Sequence, residues 1–302
     1  MFSTCLNEQP FWILLPLFIG SLYIFKNSIL LLQWIFITFF RPTKNLKKTY
    51  GSWAVITGAT DGIGKAFAFQ LAQRGLNLIL VGRNLQKLEQ VSSSIRGRFP
   101  FTEIKFVVIE GLDVGILINN VGVTYPSARF FHEVNEEVWM NVVRVNIKGT
   151  TFITKSVLSR MVSRKQRGAI VNLGSGASIV VPSHPLYAIY AATKAYVDQL
   201  SRSLYVEYKE RGIDVQCQVP LYVSTKMASR VALIEKSSFF VPSAEDYAQA
   251  AVRRLGYESR CTPWWTHSLQ WTFASILPES ILDGWRFSIG IHRRKASLLT
   301  SN

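Results

Sequence analysis

Tyr190 and Lys194 stand four residues apart in the run Tyr190-Ala191-Ala192-Thr193-Lys194. On a helix that spacing stacks both side chains on one face, which sets the Lys194 ammonium beside the Tyr190 phenol. A free tyrosine titrates near pH ~10, too high for ready proton exchange at neutral pH. A neighbouring cation favours the phenolate and lowers that value, as an acid–base catalyst requires. Alone the pair is a weak signal, because any amphipathic helix can show it by chance.

A glycine-rich turn upstream strengthens it. Gly58, Gly62 and Gly64 follow the apolar run Trp53–Thr57 and open an amphipathic segment. Bare backbone at such a turn can approach a pyrophosphate, whose charge meets a helix N-terminus. Past the next apolar run, where an acidic side chain would take a ribose 2′-hydroxyl, stand Gly82-Arg83-Asn84. Arg83 can pair with a 2′-phosphate instead, so the expected cofactor is NADPH.

The elements that must position these groups alternate short apolar runs with helical patterns, the signature of an α/β fold with a parallel sheet. Strands are expected at Trp53–Thr57, Leu76–Val81, Ile104–Ile109, Val114–Asn119, Ala169–Leu173 and Ile213–Val219. Helices are expected at Gly62–Arg74, Leu85–Arg96, Glu136–Arg160 (in two pieces) and Tyr187–Arg211. The result is a Rossmann-like, doubly wound sheet over residues 51–260. Residues 1–50 read as an N-terminal membrane anchor with a basic flank. Residues 261–302, rich in tryptophan, read as a cap that serves as an acyl-chain pocket, a membrane contact or a plain helical cover.

Within 302 residues the formal charge is +15, from 34 Lys and Arg against 19 Asp and Glu. Mean hydropathy is +0.17, and most of the apolar excess lies in residues 11–40, broken by Lys26, Asn27 and Ser28. Either half is shorter than the ~20 residues of a comfortable span. One tilted helix over residues 11–31, with Lys26 reaching an interface, is expected, and a monotopic hairpin is the alternative. Basic residues flank this segment at Arg41, Lys44, Lys47 and Lys48 and recur at Arg293, Arg294 and Lys295. They favour a cytoplasmic membrane surface over nucleic acid, for which no reading helix or zinc spacing exists. Cys5, Cys217 and Cys261 show no pairing or metal spacing, and the four histidines complete no ligand set. No metal is expected.

The pattern resembles the short-chain dehydrogenase/reductase superfamily. Asn119-Asn120-Val121-Gly122, Asn146 and Asn172-Leu173-Gly174-Ser175 agree with it. Gly51-Ser52-Trp53, the run Thr60 to Gln70, Asp214 to Pro220, and Cys261-Thr262-Pro263 are similar to the plant very-long-chain 3-oxoacyl-CoA reductases of the microsomal elongase. The steroid 17β-dehydrogenases with the same layout are more distant. The resemblance implies that Tyr190 gives a proton to the substrate carbonyl, Lys194 lowers the tyrosine pKa and holds the nicotinamide ribose, and Ser175 clamps the carbonyl oxygen. Asn146 would bind a water that feeds protons to Lys194. Gly58, Thr60, Gly62, Ile63, Gly64, Arg83, Asn120 and Thr225 would contact NADPH. The substrate would be a long-chain 3-oxoacyl-CoA, and the partners the endoplasmic reticulum membrane and other elongase enzymes, with the catalytic domain facing the cytosol. Alternatives are a catalytically impaired elongase-complex member and a hydroxysteroid dehydrogenase.

Three departures from the family pattern stand out. Ser175 precedes Tyr190 by fifteen residues, two more than usual, with Pro182-Ser183-His184-Pro185 between them, so Ser178 is a lesser candidate. The end Leu299-Thr300-Ser301-Asn302 lacks a dilysine retrieval signal. Finally, only Glu110-Gly111-Leu112-Asp113 separates the third and fourth expected strands. In the order 3-2-1-4-5-6 they lie three positions, about 14 Å, apart, and the return along a strand adds ~17 Å. Four residues reach at most about 18 Å, and a crossover normally takes a dozen or more. The crossover of about twenty residues that the family carries reads as deleted. Ile104–Ile109 is therefore expected to lose its parallel edge position and to leave the adenine side open.

Overall fold

The computed structural model describes residues 11–106, 112–164 and 166–299. The chain divides into two units, residues 1–42 and 43–302.

In the first, α1 (Phe11–Ile35) continues as a wider π-helical turn over Phe36–Phe40. The stretch Trp12–Phe40 has mean hydropathy 1.7 and no buried residue in its most apolar window, and it is long and apolar enough to cross a membrane. Its 29 residues measure about 44 Å, against a hydrocarbon core of ~30 Å. The helix thus outruns the expected 31st residue and does not fold into a hairpin. Ser21, Asn27 and Ser28 bond back to the carbonyls of Leu17, Tyr23 and Ile24, which hides the polar break inside one helix.

The second unit opens with α2 (Leu46–Tyr50), whose Leu46 and Tyr50 are buried. Seven parallel strands follow in the order β3-β2-β1-β4-β5-β6-β7. They are β1 Trp53–Thr57, β2 Asn77–Val81, β3 Ile104–Phe106, β4 Val114–Asn119, β5 Gly168–Leu173, β6 Ile213–Gln218 and β7 Arg260–Cys261. β1, β4 and β5 are buried at every position, as strands covered on both faces must be. One face carries α3 (Gly62–Gln73), α4 (Leu85–Arg98) and α10 (Ala244–Arg253) over Ile56, Phe67, Leu78 and Tyr247. On the other, α6 (Thr150–Ser163) and α8 (Ala188–Tyr208) cover Val55, Leu117, Ile170 and Val215. The expected helix over Glu136–Arg160 is α5 (Glu136–Val143), a π-helical stretch Arg144–Gly149, and α6. Short helices α7 (Gly176–Ile179) and α9 (Lys226–Ala232) sit at the strand ends, and α11 (Trp265–Ile276) and α12 (Glu279–Leu299) close the chain.

β3 corrects the edge-strand expectation. Leu78, Ile79 and Leu80 pair in parallel with Ile104, Lys105 and Phe106, so the third strand does hold the edge. Residues 107–109 of the expected strand lie outside the described residues. A strand of three residues leaves eight residue steps from Phe106 to Val114, a reach of about 27 Å. The ~14 Å offset and a return of about 10 Å along three residues fall within that reach.

Candidate active site

The glycine turn lies between β1 and α3. Gly58 and Gly62 adopt φ of +66° and +54°, values glycine takes without penalty. A Cβ placed on Gly64 would strike the Gly58 carbonyl oxygen and the Asn120 amide nitrogen. Thr57 and Asn120 brace the turn. Thr57 Oγ1 accepts from the Asn120 and Val121 amides at 3.0 and 3.1 Å, and Asn120 Nδ2 donates to the Thr57 carbonyl at 3.1 Å. Asn120 thus holds the turn from behind. Ile63 packs on the core, and a Cβ on Gly82 would stand 3.0 Å from the Thr60 methyl, which keeps the end of β2 beside the turn. Arg83, one residue on, is exposed, and among the described residues no carboxylate pairs with it. Thr225 caps α9 by accepting from Ala228 at 3.3 Å, and its methyl lies 3.2 Å from the position of a Cβ on Gly62. The bare turn at the α3 N-terminus, with Arg83 free at the next strand end, fits a dinucleotide phosphate.

The acid–base group is built on α8. Ser175 caps α7, its Oγ accepting from the Ala177 amide at 3.2 Å, and it lies on the Tyr190 side of the pocket, where it acts to lower the phenol's pKa. Ser178 turns away, donating to the Ser175 carbonyl at 3.3 Å. Lys194 is 6% exposed; its ammonium donates to the Leu173 carbonyl at 2.8 Å and lies 6.0 Å from the Tyr190 ring centre. Asn146 sits in the π-helical stretch, a common place for functional side chains. Its Oδ1 accepts from the Val123 amide at 2.8 Å, and its Nδ2 donates to the Val123 carbonyl and Thr193 Oγ1, both at 2.9 Å. A Cβ on Gly122 would come within 3.2 Å of Lys194 Nζ and 3.7 Å of Asn146 Oδ1, so that glycine lets the two groups share one pocket. Below them Asn119 donates to Asn172 and Thr154, each at 2.8 Å, tying β4 to β5.

Burial pushes the Tyr190 phenol above its ordinary value, with Ser175 opposing. Burial brings Lys194 down to about 8. In this geometry burial outweighs the Ser175 contribution, so the phenol stands above rather than below its ordinary value. A protonated phenol is the form a proton donor needs.

Sequence reading missed the contribution of α12. The two extra residues before Tyr190 belong to a segment that this helix clasps: Ser183 bonds to Asp283, and Arg286 Nη2 donates to His184 Nδ1 at 2.7 Å. His267 of α11 likewise binds the loop after β6, accepting from the Leu221 amide at 3.3 Å and facing the Tyr222 carbonyl at 3.1 Å. The signal was present as the Pro182–Pro185 insertion and as Arg286, Gly290 and Arg293 on one helical face. Burial, with Arg286 and Arg293 beside His184, lowers its pKa from 6.5 to about 3, and burial lowers His267 to about 4. Both are bound neutral, while the unfolded chain takes up protons below about 6.5. Stability they contribute is full above that value and lost as pH falls toward 3. A His184→Gln variant is expected to show a flatter fall of thermal midpoint between these limits, with His267 supplying the remainder. An unchanged slope contradicts this.

The cradle and the enclosed tyrosine coincide with a family match. Residues 52–235 match the family described as short chain dehydrogenase. The chain belongs to that family. It is therefore an oxidoreductase of alcohol and ketone groups whose fold binds NAD(P). It is 55% identical to a very-long-chain 3-oxoacyl-CoA reductase-like protein of Arabidopsis thaliana, covering 98% of this chain and 100% of that protein. The alignment spans 314 positions, at least 12 more than the 302 residues here, so the relative carries residues that this chain lacks. The human inactive hydroxysteroid dehydrogenase-like protein 1 is 43% identical over 78% of this chain and 75% of its own length. A short-chain dehydrogenase from Sphingobium yanoikuyae in complex with NADPH superimposes with a TM-score of 0.59 at 29% identity, covering 67% of this chain and 84% of that one. Among the described residues no group of histidine, cysteine or acidic side chains could hold a metal.

Proposed function

We propose that this short-chain reductase converts 3-oxoacyl-CoA to 3-hydroxyacyl-CoA with NADPH during very-long-chain fatty-acid elongation. The observation that carries the reading is the half-buried Tyr190 phenol on the face of α8 it shares with buried Lys194, with Ser175 acting on it, beside a glycine cradle. The 55% identical plant relative supports the substrate class. NADPH, when bound, supplies the hydride. Tyr190 gives its phenolic proton to the ketone oxygen, and Ser175 holds that oxygen as charge develops on it. Lys194, through the buried amine on the Leu173 carbonyl, fixes the floor of the pocket and reaches the ribose. Asn146 orients the Val123 loop against Thr193. Gly58, Gly62 and Gly64 leave room for the pyrophosphate, flanked by Thr60, Ile63, Asn120 and Thr225, and Arg83 takes the 2′-phosphate.

Helix α1 would anchor the chain in the endoplasmic reticulum membrane, with the reductase domain in the cytosol among other elongase enzymes. A catalytically impaired elongase-complex member is the second reading. The positions lacking against the plant relative and the relative named inactive favour it. Purified full-length protein in detergent, given NADPH and a long-chain 3-oxoacyl-CoA, is expected to consume both and release the 3-hydroxy thioester. NADPH binding without turnover would favour the second reading.

A further inference from the structure

Helix α12 lies on the segment that leads into the catalytic helix. A Cβ on Gly290 would stand 2.9 Å from Leu186 Cδ1 and 3.5 Å from the Pro185 carbonyl, so the contact depends on a glycine there. Ile291 packs against the same cluster as Tyr187 and Tyr190. On this face Arg286 and Arg293 converge on the Tyr222 hydroxyl. Arg293 Nη1 donates to it at 2.8 Å, with the guanidinium 5.3 Å from the ring centre, while the Arg286 charge acts on it from the His184 side.

Among the described residues no carboxylate pairs with either cation. Arg286 is 7% exposed, and its buried Nε has no hydrogen-bond partner. Among the described residues the nearby acids are engaged elsewhere, Asp283 by Ser183 and Glu133 by Arg294. A buried guanidinium set against a phenol, a neutral imidazole and the Trp285 ring, with its Nε unpaired, is costly unless an oxygen acceptor completes it. Tyr222 follows Pro220 at the carboxyl end of β6, where doubly wound sheets bind ligands. Tyr190 packs in the same cluster as Ile291 of α12, two residues before Arg293.

We infer that Arg286, Arg293 and Tyr222 form an oxygen-receiving subsite that takes the thioester carbonyl of the substrate while Tyr190 and Ser175 take the ketone. This inference rests on the 3-oxoacyl-CoA reading and deepens it. The two oxygens of a 3-oxo thioester sit on carbons separated by one methylene, so both can be gripped at once. The phosphates of coenzyme A lie at the far end of the pantetheine arm, away from the reacting carbon. An isolated ketone leaves the subsite polar groups unpaired, the situation in which sites discriminate most strongly.

The test compares a 3-oxoacyl thioester with a methyl ketone of equal chain length, using full-length protein and NADPH. Tyr222→Phe and Arg293→Gln are the variants, since Arg286 is too buried to replace without risk to folding. The wild type is expected to prefer the thioester by about 100-fold or more in kcat/KM. Either variant should lose at least about tenfold more on the thioester than on the ketone. Equal losses on both substrates, or an unchanged preference, would overturn the subsite while leaving the reductase reading intact. Calorimetric titration of the thioester without cofactor separates the two ideas. Binding weakened by Tyr222→Phe in a protein that turns over neither substrate would keep the subsite and end the reductase reading. Binding unaffected by both variants would overturn the subsite.

Discussion

Tyr190→Phe is expected to lower kcat for ketone reduction by about 10²–10⁴-fold with little change in NADPH affinity. The substitution removes one hydroxyl and keeps the ring that packs with the Tyr125 and Tyr187 cluster. Ser175 keeps its bond from the Ala177 amide, so the stability cost is about 1 kcal/mol, that of one lost hydrogen bond. The loss should fall on kcat and kcat/KM together, because the proton moves only in the transition state. A variant that retains kcat and changes KM alone would show that Tyr190 merely holds substrate. Tyr190 stands above its ordinary value, so the wild-type donor stays protonated through neutral pH. The first titration to affect activity on the alkaline side is then expected near that of Lys194, about 8.

Gly64→Val is expected to abolish measurable NADPH binding, a weakening of about 100-fold or more. The first added carbon collides with the Gly58 carbonyl and Asn120, one a backbone atom and the other held by two bonds to the turn. Neither can give way without opening the cradle. Overpacking of this kind costs about 1–3 kcal/mol of stability, and the turn that meets the pyrophosphate moves with it. Gly97→Ala in α4 is the control. Nothing lies within 4 Å of a Cβ there, and alanine favours the helix by ~1 kcal/mol. Fluorescence titration with NADPH on both variants checks the claim; retained affinity in Gly64→Val would contradict it.

The parts of the fold that were legible in the sequence are those fixed by local pattern. The apolar runs of β1, β4 and β5 read as buried parallel strands because both faces are covered. Tyr190 and Lys194 fell on one face of α8 because a spacing of four forces it. The parallel pairing of β3 with β2 was not legible, since which strand holds the edge is a long-range condition. The upward shift of Tyr190 was also hidden. Spacing reveals a neighbouring cation, but enclosure is a property of the assembled pocket. The same holds for α12. Arg286 and Arg293 look like two members of a basic tail until Gly290 brings them against His184 and Tyr222. The polar break at Lys26-Asn27-Ser28 left a hairpin open as the alternative, because the sequence does not show that serine and asparagine side chains satisfy themselves on the preceding helical turn.

The most direct measurement follows the hydride and the proton donor in one experiment. Full-length protein is incubated with a long-chain 3-oxoacyl-CoA and NADPH deuterated at its transferable position, and the thioester product is weighed by mass spectrometry. One deuterium on the hydroxyl-bearing carbon is expected in the wild type, with almost none formed by Tyr190→Phe at equal NADPH occupancy. Absence of labelled 3-hydroxyacyl-CoA from wild-type protein shown to bind NADPH would contradict the account.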